Sequence, residues 1–486
     1  MGYEDNRQYR RFPNPGWAWP GGSLDQLIYA AVAPDHEKAL ITFRAWLSET
    51  DIDDVGFREH RLLAAIAGRF GKNLRDHAEF PRLVGLQRML WTKSRMTLAE
   101  SLPVLISLTE HDIPVMLLKG GVRLALRPED QKSRISHDLD ILVPSSHFRQ
   151  ALKIFGASDW HGASGESRIC LDTRHKYLRA MNFFSGRTGD IDLHQWAYGA
   201  AQPIQGAENS LWKNAENTTF FDVPVFVPSV ADRVGLAIYH SGRDAHSHSD
   251  WMVDCAQYLK DPALDWARLH DILVETKTVV PAQVAISYLH IRAGIPMPND
   301  FISELLGPGK TDRLMSVSEV LQAKPRNDWN ALSKLARGIA KQTRLTKNHL
   351  GIPKRLLISG RSLNGTGSAK GDFQSISFLK ETHSGQYRFD LEIEVEQAGI
   401  ARRFEYELNT EKRHLTRLQV HHIRPRNGLV RFKFTGLLKL TDDDVGLWLE
   451  ARPGRHLRGG EPKEVSERYS AVPFQVVSFR LFVGVG

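Results

Sequence analysis

A chain of 486 residues, 42% hydrophobic and 25% charged, is long enough for about two to four domains and has the make-up of a globular protein, not of a fibrous or unfolded one. Its net charge of +8 favours anionic partners such as nucleotides, nucleic acid or acidic surfaces, although the charges are spread along the whole chain. Two cysteines, Cys170 and Cys255, exclude a disulfide framework and a thiolate metal centre, and no run approaches the roughly 20 apolar residues of a membrane helix.

Residues 1–22, rich in Pro, Trp and Gly, read as an irregular arm without the apolar core of a signal peptide. A myristoylation reading of Met1-Gly2 fails at Asn6, where Ser or Thr is wanted. A soluble protein of a reducing cytoplasm, with no membrane span, is the expectation. From 23 to 112 apolar residues recur at three- and four-residue spacing, as in Leu62, Leu63, Ile66 and in Leu83, Leu86, Met89, Leu90, so this region is expected to be helical.

Between 113 and 228 the period changes. VMLL, DLDILV, KYLRAMNFF, DIDLHQW and FDVPVFV read as short strands between polar turns, and Ser145 and Ser146 cap a helix carrying Phe148, Leu152 and Phe155. Helical spacing returns over 229–358. A polar, glycine-rich stretch at 359–373 has the composition of a flexible linker; Gly365, Gly367 and Lys370 lack the spacing of a phosphate-binding loop. From 374 to 486 strict alternation, clearest in YRFDLEIEVE, predicts an all-β sandwich or barrel. There the basic run around His421, Arg424 and Arg431 is read mainly as the solvated face of a strand pair, with Phe432 and Phe434 inside and Glu392, Glu394 and Glu396 as cross-strand partners.

The chemistry concentrates in the third of these regions. In His137-Asp138-Leu139-Asp140-Ile141 side chains alternate, so Asp138 and Asp140 project from one face, and their repulsion calls for a cation; hard oxygen ligands favour Mg²⁺ or Mn²⁺. Gly189-Asp190-Ile191-Asp192-Leu193-His194 repeats the geometry and offers a third carboxylate. Gly120-Gly121, after a strand and before a helix-like run, lets backbone N–H groups approach an anion, with Lys119, Arg123 and Arg134 nearby in sequence. His240, His246 and His248, with Asp250 or Asp254, offer a weaker zinc reading; Asp254 fits an anchor between helices and core better.

LKGG, Arg134-x-x-x-Asp138-Leu139-Asp140-Ile141-Leu142-Val143 and Ile191-Asp192-Leu193-His194 together resemble the polymerase-beta-type nucleotidyltransferase superfamily, and most nearly the bacterial family of uncharacterised nucleotidyltransferases, from the N-terminal helices to about residue 298. The resemblance implies an α+β fold: a nucleotidyltransferase-like mixed sheet flanked by helices, followed here by the C-terminal β domain. It implies that Asp138 and Asp140 ligate two magnesium ions, that Asp192 binds the catalytic ion and helps deprotonate an acceptor hydroxyl, and that Gly120 and Gly121 cradle nucleoside triphosphate with Lys119 and Arg134 on the phosphates. The reaction would be transfer of a nucleoside monophosphate, from ATP, to a small molecule, glycan precursor, RNA end or protein. Gln195 departs from the pattern by separating His194 from Trp196. The rival readings are a non-catalytic nucleotide- or partner-binding module, and a glycan- or protein-binding protein that works through its β domain.

Overall fold

The computed structural model describes residues 13–162, 179–199, 202–242, 250–307, 313–325, 329–350, 355–361, 374–379, 385–395, 404–410, 414–418, 422–426, 429–441, 443–444, 446–453 and 474–483. Cys170, His246, His248, Glu396 and the glycine-rich stretch from 362 onward lie outside them. Two compact units emerge: residues 1–154 with 179–348, and residues 155–178 with 349–486.

Unit 1 opens with helices α1 (Gly22–Val32), α2 (His36–Glu49), α3 (Phe57–Phe70) and the long α4 (Phe80–Glu110). Asp35 starts α2 by accepting a hydrogen bond from the Lys38 N–H. The sequence periodicity is visible in what these helices bury: Leu62, Leu63, Ile66 and Phe70 of α3 join Phe43 and Trp46 of α2 in a core that reaches the sheet at Met116, Leu118 and Leu142. At about 25 cal/mol per Å² of apolar surface removed from water, side chains of this size account for most of what holds the helices down.

Six strands follow: β1 (Met116–Leu117), β2 (Leu139–Leu142), β3 (Ala180–Ser185), β4 (Gly189–His194), β5 (Glu216–Phe220) and β6 (Val223–Val227). Within unit 1 these six form a mixed sheet in the order β3-β4-β2-β1-β6-β5. The pair that matters is β2 with β4, which run parallel in the register Leu139–Ile191, Asp140–Asp192, Ile141–Leu193, Leu142–His194. Because side chains alternate, one shared register sends Leu139, Ile141, Ile191 and Leu193 to one face and Asp140, Asp192 and His194 to the other. Helix α4 fixes where β4 begins. The Glu100 carboxylate accepts the N–H groups of Thr188 and Gly189, and Thr97 Oγ1 donates to Thr188 O at 2.9 Å.

Helices α5 (Lys119–Leu126), between β1 and β2, and α6 (Ser145–Ala157), after β2, are interleaved with the strands, and α7 (Asp250–Tyr258) is among the helices that follow β6. No helix among the described residues is long and apolar enough to cross a membrane.

From residue 355 onward the described residues of unit 2 form two antiparallel sheets. Its strands are β7 (Arg355–Arg361), β8 (Gln374–Leu379), β9 (Gly385–Val395), β10 (Phe404–Asn409), β11 (His414–Leu418), β12 (His422–Arg426), β13 (Leu429–Leu440), β14 (Leu447–Pro453) and β15 (Phe474–Val483), joined as β12-β13-β9-β15-β7 and β11-β10-β14-β8. Tyr387, Phe389, Leu391, Ile393 and Val395, the odd residues of the alternating strand, are buried together with Tyr406, Leu408 and Leu449 of the other sheet. Phe432 and Phe434 lie inside, as alternation requires, and Tyr406 packs on both rings. One boundary differs from the sequence reading. The last helix ends at Leu350, and β7 pairs with β15, so the end of the expected helical region and the first residues of the expected linker are strand. Leu356 and Ile358 fit helical and strand spacing alike, which is why periodicity did not separate them.

Candidate active site

Strand β1 is followed at once by α5, and the junction is sharp. Lys119 adopts φ +47°, in the left-handed region that a side chain enters at a cost of order 1 kcal/mol. The two glycines let the helix start sit close against its neighbours. A Cβ on Gly120 would stand 2.9 Å from Ser136 Oγ and 3.2 Å from Arg134 Cζ, and one on Gly121 would stand 3.2 Å from Leu139 Cδ1. The Gly-Gly pair thus has a packing requirement on its inner side, whatever it offers a ligand on the other.

The turn throws the Lys119 ammonium onto Asp140 Oδ1, at 2.5 Å. Asp140 is 3% exposed, while Asp138, one residue ahead of β2, is partly exposed. Across the register, His194 Nε2 lies 3.2 Å from Asp140 Oδ1 and 3.1 Å from Asp192 Oδ2. One ligand atom from each of Asp140, Asp192 and His194 falls within 4.8 Å of the other two, an arrangement able to hold a metal ion. The ring of His240 packs edge-on against His194 at 5.6 Å, and its Nδ1 lies 2.7 Å from Arg179 Nη2.

Charges here are strongly coupled. Burial alone would push Asp140 and Asp192 up, but Lys119 and His194 outweigh it and hold both carboxyls below the ordinary carboxylate range. Asp138 goes the other way, raised by the Asp140 charge and then by burial. Asp190 is pushed up to about 7, first by burial and then by Asp138, Asp192 and Asp140. Lys119 and His194 are raised against the opposing effect of burial, chiefly by the acids around them. Four carboxylates therefore gather around Lys119 and His194, with the Arg61 and Arg179 charges also acting on Asp138 and Asp192, and Asp192 Oδ1 and Asp190 Oδ1 are buried without a hydrogen-bond partner. Surplus negative charge with orphaned oxygens is the donor chemistry that a divalent cation fits.

Arg134 has a different occupation from the one read in the sequence. Its guanidinium, 6% exposed, pairs with Asp250 at 2.6 Å and with Asp254 at 2.9 Å, both on α7. Arg123 completes the cluster between Asp254, at 3.2 Å, and Asp130, at 2.9 Å, and Arg61 reaches Asp250 at 3.3 Å. This fork lies directly beneath Gly120 and ties α7 to the α5 junction. Asp250 and Asp254 are thereby committed to arginines, which removes them from the zinc reading of His240.

The structure brings together Lys119, Asp138, Asp140 and Asp192 of the residues expected from sequence, puts Gly120 and Gly121 at the adjoining helix start, and turns Arg134 away into the scaffold. Sequence reasoning passed over His194 as a site residue. The signal was present: Asp190, Asp192 and His194 share a face by simple alternation. Trp196, shifted by the extra Gln195, is buried, at 2% exposure.

Residues 58–294, from the first turn of α3 past α7, match the model of a family described as uncharacterised nucleotidyltransferase. No curated protein matches the chain significantly. The matched segment holds every residue of the acidic site and of the arginine cluster, and ends before the antiparallel strands that begin at Arg355. Over residues 58–294 the chain is thus similar to the uncharacterised nucleotidyltransferase family.

Proposed function

We propose that the protein is a divalent-cation-dependent nucleotidyltransferase, moving a nucleoside monophosphate from a nucleoside triphosphate, ATP in the first instance, to a hydroxyl acceptor with release of pyrophosphate. The observation that carries this reading is the parallel rung Asp140–Asp192 on a half-buried face, set beside the Lys119-Gly120-Gly121 helix start within a segment of nucleotidyltransferase type.

Asp138, Asp140 and Asp192 would hold Mg²⁺ or Mn²⁺, which supplies positive charge to the phosphoryl oxygens when bound. Asp192, with Oδ1 unpartnered, orients the attacking hydroxyl or takes up its proton. The acceptor oxygen bonds to the α-phosphorus as the bond to the bridging oxygen breaks, and the electron pair leaves with pyrophosphate. Lys119, with the N–H groups at the start of α5, faces the charge that develops on the phosphates. Arg134 acts at one remove, keeping Gly120 in place through its pairing with Asp250 and Asp254. Unit 2, whose two sheets we read as a β-sandwich, is an accessory domain in this scheme.

Purified protein incubated with each α-labelled nucleoside triphosphate, Mg²⁺ or Mn²⁺ and a lysate as acceptor pool tests this directly. Label should pass to a lysate component and vanish with Asp138→Ala/Asp140→Ala. Transfer that survives the double substitution, or folded protein that binds no nucleotide, would overturn the assignment.

A further inference from the structure

His194 presents one ring nitrogen to two carboxylate oxygens at nearly equal distances, 3.2 Å to Asp140 Oδ1 and 3.1 Å to Asp192 Oδ2. Nε2 carries at most one proton, and an N–H donates well along a single line, so it serves two acceptors poorly at once. The distances suit another arrangement. Ligand atoms bonded to a cation at about 2.0–2.2 Å and at right angles to one another lie about 3 Å apart. The ring is 3% exposed and Asp140 equally so, and solvent does not compete for Nε2. The backbone enforces the placement, because His194 sits two residues beyond Asp192 on the same face of β4 and opposite Leu142 of β2. Asp138, the first acid of the sequence motif, falls outside the three-donor group.

We infer that His194 is a direct ligand, through Nε2, of the cation that Asp140 and Asp192 hold, making a mixed nitrogen–oxygen site where the motif acids alone would make an all-carboxylate one. The inference deepens the proposed function, since it concerns the same site, but it is a statement about coordination and stands or falls separately from transfer. Its consequence is metal choice. Imidazole is a good ligand for transition-metal ions and a poor one for Mg²⁺, which demands oxygen and retains its waters. The chain should prefer Mn²⁺ and its neighbours to Mg²⁺.

Pulsed electron paramagnetic resonance of Mn²⁺ on the full-length protein reads this without reference to activity. A ¹⁴N coupling is expected, replaced by a ¹⁵N coupling when the protein is made with ¹⁵N-histidine. His194→Gln should abolish the coupling and weaken Mn²⁺ at least about tenfold, with a smaller change for Mg²⁺. His240→Gln, altering the ring packed edge-on against His194, should leave the coupling in place. No nitrogen coupling in the parent protein, or a coupling that persists in His194→Gln, would overturn the inference. If His194→Gln does not fold, the labelled parent and His240→Gln still decide. Coupling without label transfer under any metal would sink the transferase reading and leave the ligand assignment standing; transfer without coupling would do the reverse.

Discussion

Two strands of this protein carry the same local pattern, acidic residues on alternate positions, and they have opposite meanings. Asp138-x-Asp140 in unit 1 and Glu392-x-Glu394 in unit 2 look alike in isolation. Their register partners differ. On β13 the residues opposite Glu392 and Glu394 are Lys433 and Arg431, and Arg431 pairs with Glu394 and reaches Glu392 at 3.8 Å, while Lys433 reaches Glu392 at 3.7 Å. On β4 the residue opposite Asp140 is another acid, Asp192. A strand of acids facing bases neutralises itself and lies on a wet surface; a strand of acids facing acids, half-buried, requires something from outside the chain. The arginine cluster beneath Gly120 sharpens the point within unit 1. There three arginines, Arg61, Arg123 and Arg134, meet three carboxylates, Asp130, Asp250 and Asp254, and the buried charge is balanced.

The comparison breaks first at Asp140. If the acid-on-acid rung is the working site, Asp140→Asn should lower label transfer by on the order of 10³-fold or more, because it removes a ligand of the cation that neutralises the phosphoryl group. The expected fold is retained, with far-ultraviolet circular dichroism unchanged. Transfer within about tenfold of the parent would mean that the rung is not the site.

The balanced cluster should fail differently. Arg134→Met leaves Asp250 and Asp254 without their shared partner in a place without solvent, and since Arg61 and Arg123 still reach them the cost should be at or below the about 3–5 kcal/mol of a fully stranded buried carboxylate. Denaturant unfolding should show that loss whether or not a divalent cation is added. A drop in transfer with unchanged stability would instead return Arg134 to the phosphates, where the sequence alone had put it.

That pair of outcomes also marks how far the sequence could be read. Alternation disclosed both β units, the core positions of Phe432 and Phe434, and the common face of Asp138 and Asp140. The family likeness placed Asp192 as the third acid. What escaped was the partner of each charged residue, since partners come from register and from distant elements. Arg134 lies 120 residues from Asp254, and nothing local distinguishes an arginine bound to a helix from one waiting for phosphate. His194 was overlooked for the opposite reason: alternation did place it beside Asp192, but its distance to Asp140 depends on the β2–β4 register. The first strand of the C-terminal β region was hidden because Arg355–Arg361 is too short for its period to declare strand or helix.

A milder effect separates the surplus of acid from the balanced clusters. Asp190 titrates at about 7 in the folded protein against 3.8 ordinarily, so between those values the folded state holds a proton that the unfolded chain has released. Stability should therefore fall as pH rises from about 4 to 7 in chelator, with no more than about 2 kcal/mol of the fall from Asp190 once solvent screening of this partly exposed group is allowed for. Asp190→Asn should lessen that decline, the remainder coming from Glu208, which burial also pushes up to about 7. Saturating divalent cation at pH 8, added to the parent protein at about 100 times its Kd, should raise stability by about 2.7 kcal/mol. Thermal melts across pH with and without Mn²⁺ check both, and a flat profile in the parent would show that the acids of β4 are not in surplus.

The smallest effect belongs to the strand that imitates the site. Arg431 is about a quarter exposed and touches two glutamates that remain wet themselves, Glu392 at 30% and Glu394 at 20% exposure. Exposed pairs of this kind contribute from nothing to about 1 kcal/mol, and cross-strand ion pairs stay in the same range. Arg431→Ala should thus cost less than about 1 kcal/mol, and raising salt toward 1 M should erase much of the difference, since the Debye length then shrinks to about 3 Å. Divalent cation should not rescue the variant. The freed Glu392 and Glu394 remain hydrated acids on one strand, with Lys433 still opposite, and no second acidic strand closes over them. Rescue of Arg431→Ala by Mn²⁺ at concentrations that saturate unit 1 would show that alternating acids alone suffice for a cation site, and the distinction by register would collapse.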